Sequence, residues 1–256
     1  MPMLSAYLQY LLRAKDEHSL HSPFVFDFYL KVIKAREAYY AFDEIEQLRH
    51  RLLQDHRLLE LKGFGAGSRH PSDKRLYKLV KRAAAPAKLG RLLFRAALYM
   101  HARTIVELGT HVGIATAYLA KSSTQARVYT FEGESSLLQV AQENFRSLNL
   151  HNITTIEGNI DETLPQHLPG IQRIDLLYID ANHRYEPTMR YVEQCLPYLH
   201  EDSLVVLDDI HWSAGMETAW QKLHRQAQFG ISIDLFRCGL LFLRQKQPKQ
   251  HFILHF

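Results

Sequence analysis

The chain has 256 residues, a formal net charge of +4, 46% hydrophobic and 23% charged residues, which are globular proportions with ample core for one large domain and a helical extension. No apolar run is long enough to span a bilayer, and no signal-peptide core with a cleavage site opens the sequence. Two unpatterned cysteines, Cys195 and Cys238, are too few to suggest a disulfide framework or a zinc site, and a reducing cytoplasm is the expected setting.

The first hundred residues predict helices. Leu4, Tyr7, Leu8, Leu11 and Leu12 form an amphipathic stripe over residues 4–15. Ser22 and Pro23 supply a cap and a first turn for a second helix running to about Ala38. Ile45, Leu48, Leu52 and Leu59 place a third over 43–61, Ser72 and Asp73 open a fourth, and Pro86 a fifth. His18 and His21 read as helix-boundary hydrogen-bonding groups rather than metal ligands. The glycine-rich stretch Gly63–Ser68 does not follow a strand and is either a linker or a lid. Arg69, Lys74, Arg75, Lys78, Lys81, Arg82, Lys88, Arg91 and Arg95 face only Asp73 over that span. This patch is a solvated helix face or a surface for an anionic or macromolecular partner; with no added RNA-binding module or tail, nucleic acid is not the expected one.

From residue 104 the pattern changes to strands alternating with helices, which implies a parallel sheet covered on both faces. Thr104–Leu108 is a short apolar run, followed by Gly109, Gly113 and a helix from Ile114. Gly109 lets backbone and ligand approach closely because no Cβ intervenes. Glu107 is a carboxylate where a phosphate loop would avoid one, and it suits an ammonium group. Both the three-glycine dinucleotide fingerprint and the P-loop Lys-Ser/Thr are missing. A second strand, Arg127–Glu132, ends in an acid 23 residues after Gly109, near the spacing at which an acid meets ribose hydroxyls. Helix 135–149, strand Ile153–Asn159, strand Ile174–Asp180, helix 188–199, strand Ser203–Asp209 and helix 216–226 follow. Two strands over 231–236 and 239–243 close the series. Glu107, Glu132, Asn159, Asp180, Asp208 and Asp209 stand at the ends of successive strands, where ligands of open α/β sheets bind.

Residues 104–244 resemble the class I S-adenosylmethionine-dependent methyltransferases. Within them the chain is most similar to the small cation-dependent O-methyltransferases of the catechol and caffeoyl-CoA type and to related bacterial methyltransferase domains. Glu107-Leu-Gly-Thr-His-Val-Gly113, Asp180-Ala-Asn-His183 and Asp208-Asp209-Ile-His-Trp212 carry the likeness. It implies a Rossmann-like, mostly parallel sheet of seven strands with an antiparallel terminal hairpin over 101–245. Residues 1–100 would form a helical cap and 246–256 a tail that adds an edge strand or joins a homodimer contact.

The resemblance also implies roles. Glu107 would hold the methionine amino group, with Gly109, Thr110 and Gly113 lining methionine and ribose. Glu132 would accept the ribose hydroxyls, and Gly133, Asn159 and Ile160 would border the adenine. Asp180 would be a metal ligand or an active-site carboxylate, and Asp208 and Asp209 would complete a divalent site such as Mg²⁺. Asp209 stands where the family has Asn, and three carboxylates remain a hard oxygen set. His183 stands where the family has a lysine; near pKa 6.5, histidine needs little tuning to serve as a base. Ala115 replaces a family serine, and Thr116 beside it offers a hydroxyl. The expected activity is methylation of a small-molecule hydroxyl. A nitrogen or macromolecular acceptor docking through residues 69–95, or a non-catalytic binding protein on the same fold, are the alternatives.

Overall fold

The computed structural model describes residues 3–61, 63, 74–244 and 246–256. In chain order the elements are α1 (Met3–Arg13), α2 (Pro23–Phe28) continued by a π-helical turn (Tyr29–Ile33), α3 (Tyr40–Leu52), α4 (Leu76–Ala83) and α5 (Ala87–Tyr99). Next come β1 (Thr104–Leu108), α6 (Ile114–Lys121), β2 (Arg127–Glu132), α7 (Ser135–Ser147), β3 (Ile153–Glu157) and α8 (Ile160–Ile171). The remainder is β4 (Ile174–Ile179), α9 (Tyr185–Cys195), β5 (Leu199–Asp208), α10 (Ala214–Leu223), β6 (Ile231–Asp234), β7 (Cys238–Phe242) and β8 (Gln250–Ile253). This is the expected mixed α/β class, mostly parallel with an antiparallel terminal hairpin, built on eight strands rather than seven. The elements fall into two compact units, one of residues 36–167 and one of residues 1–35 with 168–256. The helices of the first hundred residues are shared between them.

In the 36–167 unit the strand order is β3-β2-β1, all parallel, with Ile105 opposite Val128 and Val128 opposite Ile153. Parallel strands buried on both faces read as continuous apolar runs, and Ile105, Val106 and Leu108 are fully buried. Every residue of α6 from Ile114 to Ala120 is buried. The stripe Phe42, Ile45, Leu48 and Leu52 of α3 clusters with Leu76, Val80, Phe94 and Tyr118. Each such side chain contributes roughly 1.5–3 kcal/mol on full burial.

In the second unit the order is β4-β5-β7-β6-β8. β4 and β5 are parallel, β7 lies antiparallel between β5 and β6, and β8 runs parallel to β6. The tail is therefore an edge strand. It also holds α1: Tyr10 Oη donates to Leu254 O at 2.6 Å, and Lys15 N to Ile253 O at 2.9 Å.

Three elements depart from expectation. α3 ends at Leu52 rather than Leu61, because the Asp55 carboxylate accepts from Arg57 N at 3.0 Å and offers the backbone a turn in place of the helix. Leu59 and Leu61 still pack on the same core, in extended chain. α8 lies between the expected strands 153–159 and 174–180, where no helix was named, and it holds Pro165, Pro169 and Gly170; Asn159, with Asp161 and Glu162 in the first turn, starts it. The fourth helix begins at Leu76, and its expected start, Ser72–Asp73, lies outside the described residues, as do Arg69 and most of Gly63–Ser68.

Candidate functional site

The carboxyl ends of β1 and β2 bring the expected cofactor residues of the 36–167 unit together. Glu107 is fully buried near the end of β1. Its Oε2 accepts from Thr116 Oγ1 at 2.5 Å and from Thr130 Oγ1 at 2.6 Å, and Thr130 Oγ1 also lies 2.6 Å from Thr110 Oγ1. A buried carboxylate costs far more than a neutral group unless it is hydrogen-bonded, and this hydroxyl chain supplies two such bonds to Oε2. Thr130 was missed in the sequence because only the β1–β2 register, which sets Glu107 opposite Thr130, reveals it. Gly109 turns the chain with φ 103°, and its N–H and that of Thr110 both donate to Phe131 O. Gly113 caps α6 in the left-handed region at φ 79°. A Cβ there would lie 2.4 Å from the Phe145 ring, so this glycine serves helix packing as well as the loop.

Glu132 ends β2, 9% exposed. Its carboxylate accepts from His111 N at 2.7 Å and Glu134 N at 2.9 Å. Burial raises its pKa, against the opposing pull of the backbone N–H groups of Glu134, His111 and Gly133. Glu134, also buried, takes Gly63 N at 2.5 Å, and Ser136 Oγ donates to Glu60 O at 2.7 Å. The segment after α3 is thus tied beside Glu132, which the sequence did not signal. Asn159 uses its side chain on Asp161 N and its carbonyl on Thr163, and Ile160 is buried behind it. In the basic span, Arg91 and Arg95 lie over the Phe42 ring, and Arg95 donates to Glu37 O at 2.9 Å. Those two cations belong to the packing of α3 on α5.

The ends of β4 and β5 assemble a second cluster within the other unit. Asp180 Oδ1 lies 3.4 Å from His183 Nε2. Tyr178 Oη donates to Asp180 Oδ2 at 3.2 Å and to Asp208 Oδ2 at 3.4 Å. Asn182, His183 and Asp209 all have left-handed backbone, at φ 62°, 38° and 51°, and non-glycine residues are held there only where the surroundings impose it. Asp208 is 1% exposed and its Oδ1 has no partner among the described residues. Arg237 Nη2 lies 3.2 Å from Asp208 Oδ2 and 3.6 Å from Asp209 Oδ1.

The electrostatics follow from that geometry. Burial, then the charges of Asp180 and Asp209, push the Asp208 carboxyl well above the usual range, and Arg237 opposes them. Burial lowers the pKa of His183, but the hydrogen bond to Asp180 and the charges of Asp180, Asp209 and Asp208 outweigh it, for a net rise. His211 Nε2 lies 3.0 Å from Asp234 Oδ2, whereas Trp212 is exposed. Tyr178 and Arg237 were not singled out in the sequence. Tyr178 sits two residues before Asp180 on a strand and so shares its face; Arg237 gave no sequence signal.

Residues 106–210 match the family described as a methyltransferase domain. The chain is 28% identical over 137 residues to the catechol O-methyltransferase of Mycobacterium tuberculosis, covering 53% of this chain and 60% of that one. It is 29% identical over 124 residues to that of Niastella koreensis, covering 47% and 55%. The chain thus spans between 55% and 60% of the length of these two curated relatives. Its fold is similar to that of an O-methyltransferase of tomaymycin synthesis from Streptomyces achromogenes, solved in complex with S-adenosylmethionine. The TM-score is 0.58 at 20% identity, over 90% of this chain and 99% of that one.

Proposed function

We propose that the chain, whose residues 106–210 match a methyltransferase-domain family, transfers the methyl group of S-adenosylmethionine to a hydroxyl oxygen of a small-molecule acceptor. The observation that carries this reading is the pair of buried carboxylates, Glu107 and Glu132, at neighbouring strand ends beside the Gly109 turn. Their chemistry fits the nucleoside. Glu107, ordered by two threonine hydroxyls, suits the methionine ammonium. Glu132, fixed by His111 N and Glu134 N, suits ribose hydroxyls, whose donation would favour its charged form against burial. Gly109 leaves the backbone open to close approach.

When bound, S-adenosylmethionine supplies an already electrophilic methyl carbon, so the protein's share is largely positioning and proton removal. His183 takes the proton of the acceptor hydroxyl. Asp180 orients the imidazole from Nε2, and the neighbouring carboxylates stabilise the imidazolium that forms. A positioned base of this kind is worth about 10²–10⁴ in rate.

The Asp180, Asp208 and Asp209 set does not fit a divalent cation, because a guanidinium already stands among these carboxylates. No three His, Cys, Asp or Glu side chains among the described residues are grouped to hold one.

Calorimetric titration with S-adenosylmethionine and S-adenosylhomocysteine tests the nucleoside site. Wild type is expected to bind at micromolar concentration and Glu132→Ala to lose that binding. Absence of binding by folded wild type would remove the methyltransferase reading.

A further inference from the structure

We infer that Arg237 takes the place of a divalent cation in this chain, its guanidinium pairing with Asp208 and Asp209 and keeping metal ions out of the carboxylate cluster. The inference concerns the carboxylate cluster at the ends of β4 and β5 and rests on the proposed function only for its link to catalysis.

The sheet register delivers the group. Asp208 pairs with Cys238 across β5 and β7, so the residue before Cys238 falls level with Asp209. The β6–β7 turn is closed by Leu235 N to Cys238 O at 3.0 Å and passes through Phe236 at φ 64°. Arg237 O then accepts from Ile210 N at 3.3 Å, which fixes the arginine backbone against the chain leaving β5. From there one nitrogen, Nη2, reaches both carboxylates, at 3.2 and 3.6 Å. Guanidinium stays charged at any working pH and is less strongly hydrated than an ammonium, so it suits a partly buried ion pair.

The oxygens are committed accordingly. Asp208 Oδ2 serves Arg237 and Tyr178, Asp180 serves His183 and Tyr178, and Asp209 Oδ1 faces Arg237. Asp208 Oδ1 is buried without a partner among the described residues. A Mg²⁺ ion calls for near-octahedral oxygen ligation at about 2.0–2.1 Å, and Arg237 already occupies one oxygen of Asp208 and faces one of Asp209. A doubly charged ion would also stand beside a guanidinium, and like charges that close repel strongly away from bulk water. The Asp-Asp pair shares the one arginine, which stands closer to Asp208 than to Asp209.

Titration with manganese(II), followed by loss of its free-ion EPR signal, tests this in wild type and Arg237→Gln, with S-adenosylhomocysteine binding measured on the same samples. Wild type is expected to show no stoichiometric manganese binding, and Arg237→Gln to bind at least about tenfold more tightly. Stoichiometric micromolar binding by wild type, or no gain in the variant, overturns the inference. Wild-type methyl transfer supplies a second measurement that needs no variant. Equal rates in EDTA and in added Mg²⁺ support the inference, and a rate lost in EDTA and restored by Mg²⁺ overturns it. Failure of nucleoside binding would sink the proposed function while leaving the manganese result to judge Arg237.

Discussion

His183 and Asp180 lie in one loop and interact directly, with Asp180 Oδ1 3.4 Å from His183 Nε2. With its pKa raised by three neighbouring aspartates, the imidazole is a stronger base than a free histidine. His183→Gln is expected to lower turnover by about 10²–10⁴ with S-adenosylhomocysteine affinity unchanged; Asp180→Asn should lower it less, because it removes orientation and not the base. Rates and calorimetry on the same preparations check both. His224 is a different case. Burial, then the charges of His251, Arg225 and Lys249, push its pKa down to about 4, and its ring stacks on His251 with centroids 4.2 Å apart. A histidine whose folded pKa lies below its unfolded value contributes stability above about pH 6.5, and that stability is lost as pH falls toward 4. Melting temperature should therefore drop between pH 7 and pH 4.5 in wild type, and drop less in His224→Phe; parallel curves would mean that His224 does not carry the acid sensitivity. Glu107, Glu132 and Asp180 could be singled out in the sequence because an ionisable residue ending an apolar strand has little to do in a core, whereas His183 was singled out only by the methyltransferase likeness. Thr130 and Arg237 were not, because their partners lie 23 and 29 positions away and are brought close by pairing between strands.

At the scale of elements, buried parallel strands could be read as apolar runs, and β1, β2, β4 and β5 fall within or around the expected residues. Helix ends were harder, since they depend on side-chain to backbone bonds that periodicity does not register. Asp55 ends α3 before its leucine stripe is exhausted, and Asn159 starts α8 despite two prolines inside it. The β1–α6 loop joins conformation to packing at Gly113. Gly113→Ala places a methyl at φ 79° and 2.4 Å from the Phe145 ring, with Ala141 Cβ at 3.2 Å. The cost should be about 2–3 kcal/mol in denaturant unfolding. A variant as stable as wild type would show that α7 yields freely at this contact.

For the molecule as a whole, residues far apart in sequence complete one another within each unit. Leu254 is fully buried, and Lys15 pairs with it in an isolated bridge, so residues near the two ends of the chain are joined. Leu254→Ala should cost about 3 kcal/mol, while Tyr10→Phe, which removes the bond to Leu254 O, should cost about 1 kcal/mol; chemical unfolding measures both. No described helix is long and apolar enough to cross a membrane. The sequence by itself determined the alternation of strands and helices, the acids at the strand ends and the methyltransferase likeness, because periodicity and strand-end chemistry are local properties. Tertiary structure alone decided that the tail becomes β8, that Glu107 is held by threonines from two other elements, and that an arginine stands beside Asp208 and Asp209. Register and burial settle those matters, and both arise only when distant segments pair and exclude water.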